Sequence, residues 1–205
     1  FGDKYEVRLK GPHITPGYWK DKVNTKKSFD NEGYFKIGDA LKFKDKLNPE
    51  KGFYFDGRIA ENFKLNTGTW VSVGNVRSKL LDALGGIVID AIIVGEDQEY
   101  LSAFLIPDIA FCRSLLNLNI QDSEEKILSH QRLKNKILEI LTRYKNNNHS
   151  KSQYIKKVVF FRDVLSKAKG EITDKGSINQ IKFILNRDQL VKKLFTNQLK
   201  DIISL

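Results

Sequence analysis

The chain has 205 residues, 40% hydrophobic and 11% aromatic, enough apolar surface for one ordinary core or for one domain and part of a second. Its single cysteine, Cys112, excludes an internal disulfide and fits a reducing, cytoplasmic setting; in the apolar run IAFCRSLLNL a buried structural thiol is expected. The net charge of +10 comes from lysines interleaved with acids, so a solvated basic surface outweighs a nucleic-acid-binding module, which would need a clustered stripe with aromatics. Methionine is absent and the chain opens on Phe1 without a signal-peptide pattern, which leads to the expectation of a segment cut from a longer protein. No membrane span is expected, because the longest apolar stretch, residues 87–95, is interrupted by Asp90.

In chain order, Tyr5, Val7 and Leu9 alternate with charged residues as in a half-buried strand. PGYWKDKVNTKKSF is a loop passing into a short helix. Gly38-Asp39 has the look of a turn after a strand, and LKF (41–43) and FYF (53–55) are strands joined by a polar loop. After Gly57 the pattern changes. FKL (63–65) and WVSV (70–73) flank a Gly-containing hairpin, Asn66 to Thr69. Val76, Leu80, Leu81 and Leu84 recur at helical spacing before Gly85-Gly86. Strands are expected at 87–94, 100–106 and 155–161. One long helix is expected at 123–145, starting at Asp122 and carrying Ile127, Leu133, Ile137, Leu141 and Tyr144, with NNNHS closing it; a helical tail follows from Ile178. The fold class is therefore α+β: residues 1–56 form a β-rich part, and residues 57–205 a compact unit of a hairpin and about three strands covered by helices.

Taken singly, the local features are weak. Gly38-Asp39 and Asp174-Lys175-Gly176 could both be plain turns. The glycines form no phosphate-cradling motif of known spacing. His13, His130 and His149 lie far apart with no metal-ligand spacing, so no metal site is expected. Order is more informative. GPHITPGYWKD, Thr25, DNEGYFKIGD, FDGR, the Lys64 hairpin and a late Lys-Gly follow one another in a succession that resembles the adenylate-forming superfamily. GRIAENFKLNTGTWVSVG (57–74) and GEITDKGSINQ (170–180) are similar to the feruloyl-CoA synthases within it.

That resemblance implies the end of the large AMP-binding domain (1–56) followed by a small mobile domain (57–205). It implies an acid–thiol ligase using ATP, Mg²⁺ and coenzyme A, bound mainly with the missing N-terminal part, so that this segment alone is expected to be inactive. Asp39 matches the aspartate that accepts both ribose hydroxyls of ATP, and Arg58 the arginine just past the hinge that contacts the nucleotide. Lys175 matches the mobile lysine between substrate carboxylate and α-phosphate, and Lys64 a second basic residue used when the small domain turns. Thr67, Gly68 and Thr69 match the hairpin tip that lines the pantetheine tunnel. The sequence departs from the family at Ile37, where Thr or Ser is usual, at the hinge residue Ala60, and at Val73-Gly74-Asn75 in place of Pro-x-Glu. The implied acid is a hydroxycinnamate, with a fatty acid as the alternative.

Overall fold

A computed structural model describes residues 4–148 and 150–205; His149, in the tract expected to close the long helix, lies outside them. The described residues form two compact units, one ending at Asn62 and the other starting at Phe63. The first unit keeps residues 57–62, beyond the boundary expected at 56/57. The reason is local: its last strand runs through Gly57 to Arg58, and a single 3-10 turn, Ile59–Glu61, follows.

In the first unit, strands β1 (Tyr5–Leu9), β2 (Phe35–Phe43) and β3 (Phe53–Arg58) make an antiparallel sheet in the order β1-β2-β3. Helix α1 (Lys22–Ser28) is capped by Asp21, whose carboxylate accepts the Asn24 amide at 2.9 Å. Gly38-Asp39 is not a turn ending a strand. It lies inside the nine-residue β2, where Gly38 adopts φ +80° and the register shifts against both neighbours. A bulge disguises itself as a turn in sequence because both need a glycine in the left-handed region.

In the second unit, β4 (Phe63–Lys64) and β5 (Trp70–Val71) form the expected hairpin. Its second strand is shorter than WVSV suggested, because Val73 already opens α2 (Val73–Leu84). The main sheet has four strands rather than three, in the order β6-β7-β8-β9: Val88–Val94, Leu101–Pro107, Ile155–Phe160 and Ile203–Ser204. β7 and β8 are parallel, and the other pairs antiparallel. The expected long helix is two, α4 (Glu124–Ser129) and α5 (Gln131–Asn146), after α3 (Ile109–Leu116). His130 breaks the run: it is extended (φ −63°, ψ 126°), and its Nδ1 accepts the Arg132 amide at 3.1 Å as the cap of α5. The cap of α4 is Ser123, one residue after the Asp122 expected. The tail holds α6 (Gln180–Asn186) and α7 (Asp188–Phe195) before it returns as β9.

Alternation along β6 divides the core. Ala91 and Ile93 join a cluster with α2, α3, α4, α5 and the β4–β5 hairpin; Ile92 and Val94 join Phe104, Phe161, Phe183 and Leu194 on the face covered by α6 and α7. Asp90 stays in β6 because Arg77 of α2 clamps it with two bonds, at 2.7 and 2.5 Å. Cys112 is fully buried, donates to the Ile87 carbonyl at 3.4 Å, and has its thiol pushed up to about 11 by burial, with a smaller push from Asp108. It is the inert structural thiol expected.

Candidate functional site

In the first unit, Asp39 and Arg58 face each other across β2 and β3. The extra residue that aligns them is on β3: between Leu41↔Phe55 and Asp39↔Arg58 that strand advances one more residue, through Asp56 and Gly57, and Gly57 adopts φ +82°. Arg58 Nε lies 3.1 Å from Asp39 Oδ1. The pair is close enough for an ion pair, yet it is not aligned as a hydrogen bond, and this buried oxygen accepts none among the described residues. Arg58 keeps 61% of its side chain exposed, so its donors remain available. Thr25 has a structural role here: its hydroxyl accepts the Tyr18 amide at 2.9 Å and donates to the Asp21 carbonyl at 2.7 Å.

The β4–β5 hairpin is rooted in the second unit by its buried residues Phe63, Leu65, Val71 and Val73. Two backbone bonds dock it on the β6–β7 turn, Asp97 to Lys64 at 2.9 Å and Asn66 to Gln98 at 3.0 Å. Its tip is a tight turn in which the Gly68 amide donates to the Leu65 carbonyl, Gly68 sits at φ +77°, and the Thr67 and Thr69 hydroxyls meet at 3.0 Å. Lys64 and Trp70 are cross-strand partners, and the Lys64 ammonium lies 4.9 Å from the indole centroid. Resting on an aromatic face, Lys64 holds its charge at the surface, with no carboxylate paired to it among the described residues.

Lys175 stands at the tip of a second small hairpin, residues 172–178, closed by the Ile172↔Ile178 bridge and by the Thr173 amide donating to the Ser177 carbonyl at 2.9 Å. Gly176 at φ +81° makes the turn, and Lys175 is exposed with no acid or ring contacting it among the described residues. Ile178 belongs to the cluster under α6 and α7, whereas the first hairpin is rooted in the other cluster. The two tips therefore grow from opposite faces of one sheet. Sequence reading had not identified the side chains that hold the second hairpin, Glu171, Gln180 and Arg187. The first two bracket GEITDKGSINQ, and an acid and an amide at either end of a turn motif were the available signal. Among the described residues no group of three His, Cys, Asp or Glu side chains could hold a metal ion, and no helix is long and apolar enough to cross a membrane.

No protein-family model matches the chain. It is 24% identical over 151 residues to probable acyl-activating enzyme 16, chloroplastic, of Arabidopsis thaliana, an alignment covering 70% of this chain and 21% of that protein. It is 25% identical over 171 residues to long-chain-fatty-acid–CoA ligase 1 of Homo sapiens, covering 82% and 24%. Among solved structures, the adenylation domain of carboxylic acid reductase from Segniliparus rugosus, in complex with AMP and a co-purified carboxylic acid, superposes with a TM-score of 0.72 at 17% identity, over 96% of this chain and 28% of that one. The chain thus spans less than a quarter of the length of both curated relatives. The curated relatives are named as an acyl-activating enzyme and a fatty-acid–CoA ligase, and the α+β fold of this chain is similar to that of the solved adenylation domain.

Proposed function

We propose that this chain is the carboxy-terminal portion of an ATP-dependent carboxylate–CoA ligase, comprising the edge of a large nucleotide-binding domain and a small domain that serves two half-reactions. A carboxylate oxygen attacks the α-phosphorus of ATP and pyrophosphate leaves, giving the acyl-adenylate; the thiol of CoA then attacks the acyl carbon and AMP leaves. Mg²⁺ would come as part of the triphosphate substrate and would screen its charge. Asp39 accepts from the ribose hydroxyls, and Arg58 offers its exposed donors to the nucleotide. Lys175 offsets the charge that builds when one anion attacks another. After the small domain turns, Thr67, Gly68 and Thr69 line the path of the thiol arm, with Lys64 beside them. The observation that carries this reading is the placement of two exposed glycine turns, one bearing Lys175, on opposite faces of one sheet.

Within that class, a hydroxycinnamate substrate such as ferulate is favoured by GRIAENFKLNTGTWVSVG and GEITDKGSINQ; a long-chain fatty acid is the second reading, favoured by the name of the human relative. Exchange of pyrophosphate into ATP with each acid, measured on the complete protein, separates them.

The decisive experiment on the mechanism is Lys175→Ala in the complete protein. Adenylation should slow by ~10²–10³-fold with ATP affinity nearly unchanged, as expected for losing one preorganised donor. Thioesterification from supplied acyl-adenylate should suffer much less, and the 205-residue chain alone should give no exchange. Equal losses in both half-reactions, or none in either, would overturn the assignment of Lys175.

A further inference from the structure

We propose that Glu171 and Gln180 are positioning residues that hold the Lys175 hairpin as a fixed arm on the sheet, an assignment that rests on Lys175 being the adenylation lysine.

The hairpin has an exposed tip and two buried feet. At the first foot, Glu171 is completely buried. Its Oε1 accepts from Arg187 Nε at 3.0 Å and from Asn186 at 3.4 Å; its Oε2 accepts from Arg187 Nη2 at 3.1 Å and from the Ser166 amide at 2.7 Å. Both oxygens are thus engaged twice. Its backbone is equally occupied, with the amide donating to Ser166 at 3.0 Å and the carbonyl accepting from Asn179 at 2.9 Å, just outside the hairpin. Arg187 stacks 4.9 Å from the Phe161 ring centroid, donates to the Val164 carbonyl at 2.9 Å and pairs with Asp163. One carboxylate therefore joins the hairpin to the preceding loop and to the junction of α6 and α7.

At the second foot, Gln180 is 2% exposed. Its Oε1 accepts from the Ile93 amide at 3.0 Å, and its Nε2 donates to the Ala91 carbonyl at 2.9 Å. β6 is an edge strand, and the Gln180 amide gives its backbone the donor and acceptor that a neighbouring strand would supply. A turn that merely connected β8 to α6 would have no use for a buried carboxylate and a buried amide, each costly unless fully paired. Two such feet flanking one seven-residue hairpin fix the position of its tip. The lysine stem is flexible, so where its ammonium can reach is set by where the turn is held.

The test uses Glu171→Gln, which presents an amide N–H to Arg187 where an acceptor is needed, and Gln180→Glu, which keeps the acceptor for Ile93 but sets an oxygen against the Ala91 carbonyl. In the complete protein each should slow single-turnover adenylation by about 10- to 10²-fold, the scale of a small misplacement of a reacting group, while thioesterification from supplied acyl-adenylate is nearly unchanged. In a Lys175→Ala background the same substitutions should cost adenylation nothing further. In the 205-residue chain, the amides of Thr173 and Gly176 should exchange faster while those of β7 and β8 keep their protection. A substitution that loosened the whole sheet would raise exchange everywhere; Glu171→Asp, which retains the charge and shortens its reach, then carries the comparison. Losses that persist in the Lys175→Ala background, or unchanged exchange at Thr173 and Gly176, overturn the positioning role. Loss on Lys175→Ala with none on Glu171→Gln or Gln180→Glu overturns that role and leaves the lysine assignment standing. No loss on Lys175→Ala overturns both.

Discussion

The two units differ in what their apolar residues cover. Among the described residues up to Asn62, Ala40 is the one buried apolar side chain; Phe53, Tyr54 and Phe55 of β3 are 47%, 60% and 66% exposed, so both faces of that strand are bare. From Phe63 onward, β6 and β7 are buried on both faces between two clusters, and Phe104, Ile92, Ile93 and Leu105 are closed off from water. A three-stranded sheet with cross-strand aromatic pairs such as Phe43–Phe53 has strand propensity but little to bury against. The contrast teaches that regular hydrogen bonding does not make a unit self-sufficient. It also supports our proposal that the first unit is the edge of a larger domain, where β3 would be covered.

The comparison is broken most directly by truncating one aromatic in each unit. Phe104→Ala removes a ring packed 5.5 Å from Phe183 and 6.5 Å from Phe161, and should cost roughly 3–5 kcal/mol in denaturant unfolding of the 205-residue chain. Phe55→Ala in the same chain should stay within about 0.5 kcal/mol, as for a surface residue. A comparable loss at Phe55 would mean that the first unit has a core of its own. In the complete protein the proposed cover should raise the cost at Phe55 towards that of a buried ring.

Much of the second unit was legible because its signals are periodic. β6, β7 and β8 are apolar runs bounded by polar turns, and α2 repeats its apolar residues every three or four positions. Legibility failed where a local choice interrupts a periodic one. The six-residue step from Ile127 to Leu133 departs from the even spacing of Leu133, Ile137 and Leu141 and marks a break, but the capping imidazole of His130 that imposes it has no pattern of its own. Two-residue β9 is too short to show alternation. At the site, both exposed turns could be read from their motifs, whereas Glu171 with Arg187 and Gln180 with β6 are tertiary pairings that no local pattern reveals.

The buried pair in the second unit also sharpens the comparison through pH. Arg187 holds the Glu171 carboxyl below its ordinary value of 4.5, against the opposing effect of burial. A depressed carboxylate stabilises the folded state fully above its unfolded value and loses that contribution as pH falls through its folded one. Glu171→Gln should therefore cost roughly 1.5–3 kcal/mol at neutral pH, the scale of bonds to a charged group. That difference from wild type should hold down to about pH 4.5 and shrink below it. Asp163, lowered by the same arginine but 68% exposed, should contribute little when replaced by Asn. Urea melts of the chain at stepped pH check this; a gap that widened on acidification would contradict the sign.

A smaller effect than at Phe104 or Glu171 is expected at Gly68, where fold and function make separable demands. A Cβ built there meets nothing within 4 Å, so Gly68→Ala carries no steric cost inside the chain. What remains is the backbone: φ +77° is a region that L side chains adopt at a cost of roughly 1–2 kcal/mol. The turn can relax part of that, because its tip is exposed and the Thr67–Thr69 contact is local. The chain should thus lose about 1 kcal/mol of stability, well under the loss at Phe104. In the complete protein the substitution should leave adenylation nearly unchanged and slow thioesterification, since under the proposed function the methyl would project into the path of the thiol arm. Asn is the control, because it tolerates the left-handed region and yet is bulkier. Gly68→Asn should therefore restore stability relative to Ala while slowing thioesterification further. If instead thioesterification followed stability, with Asn better than Ala in both, the tip would be a turn and nothing more.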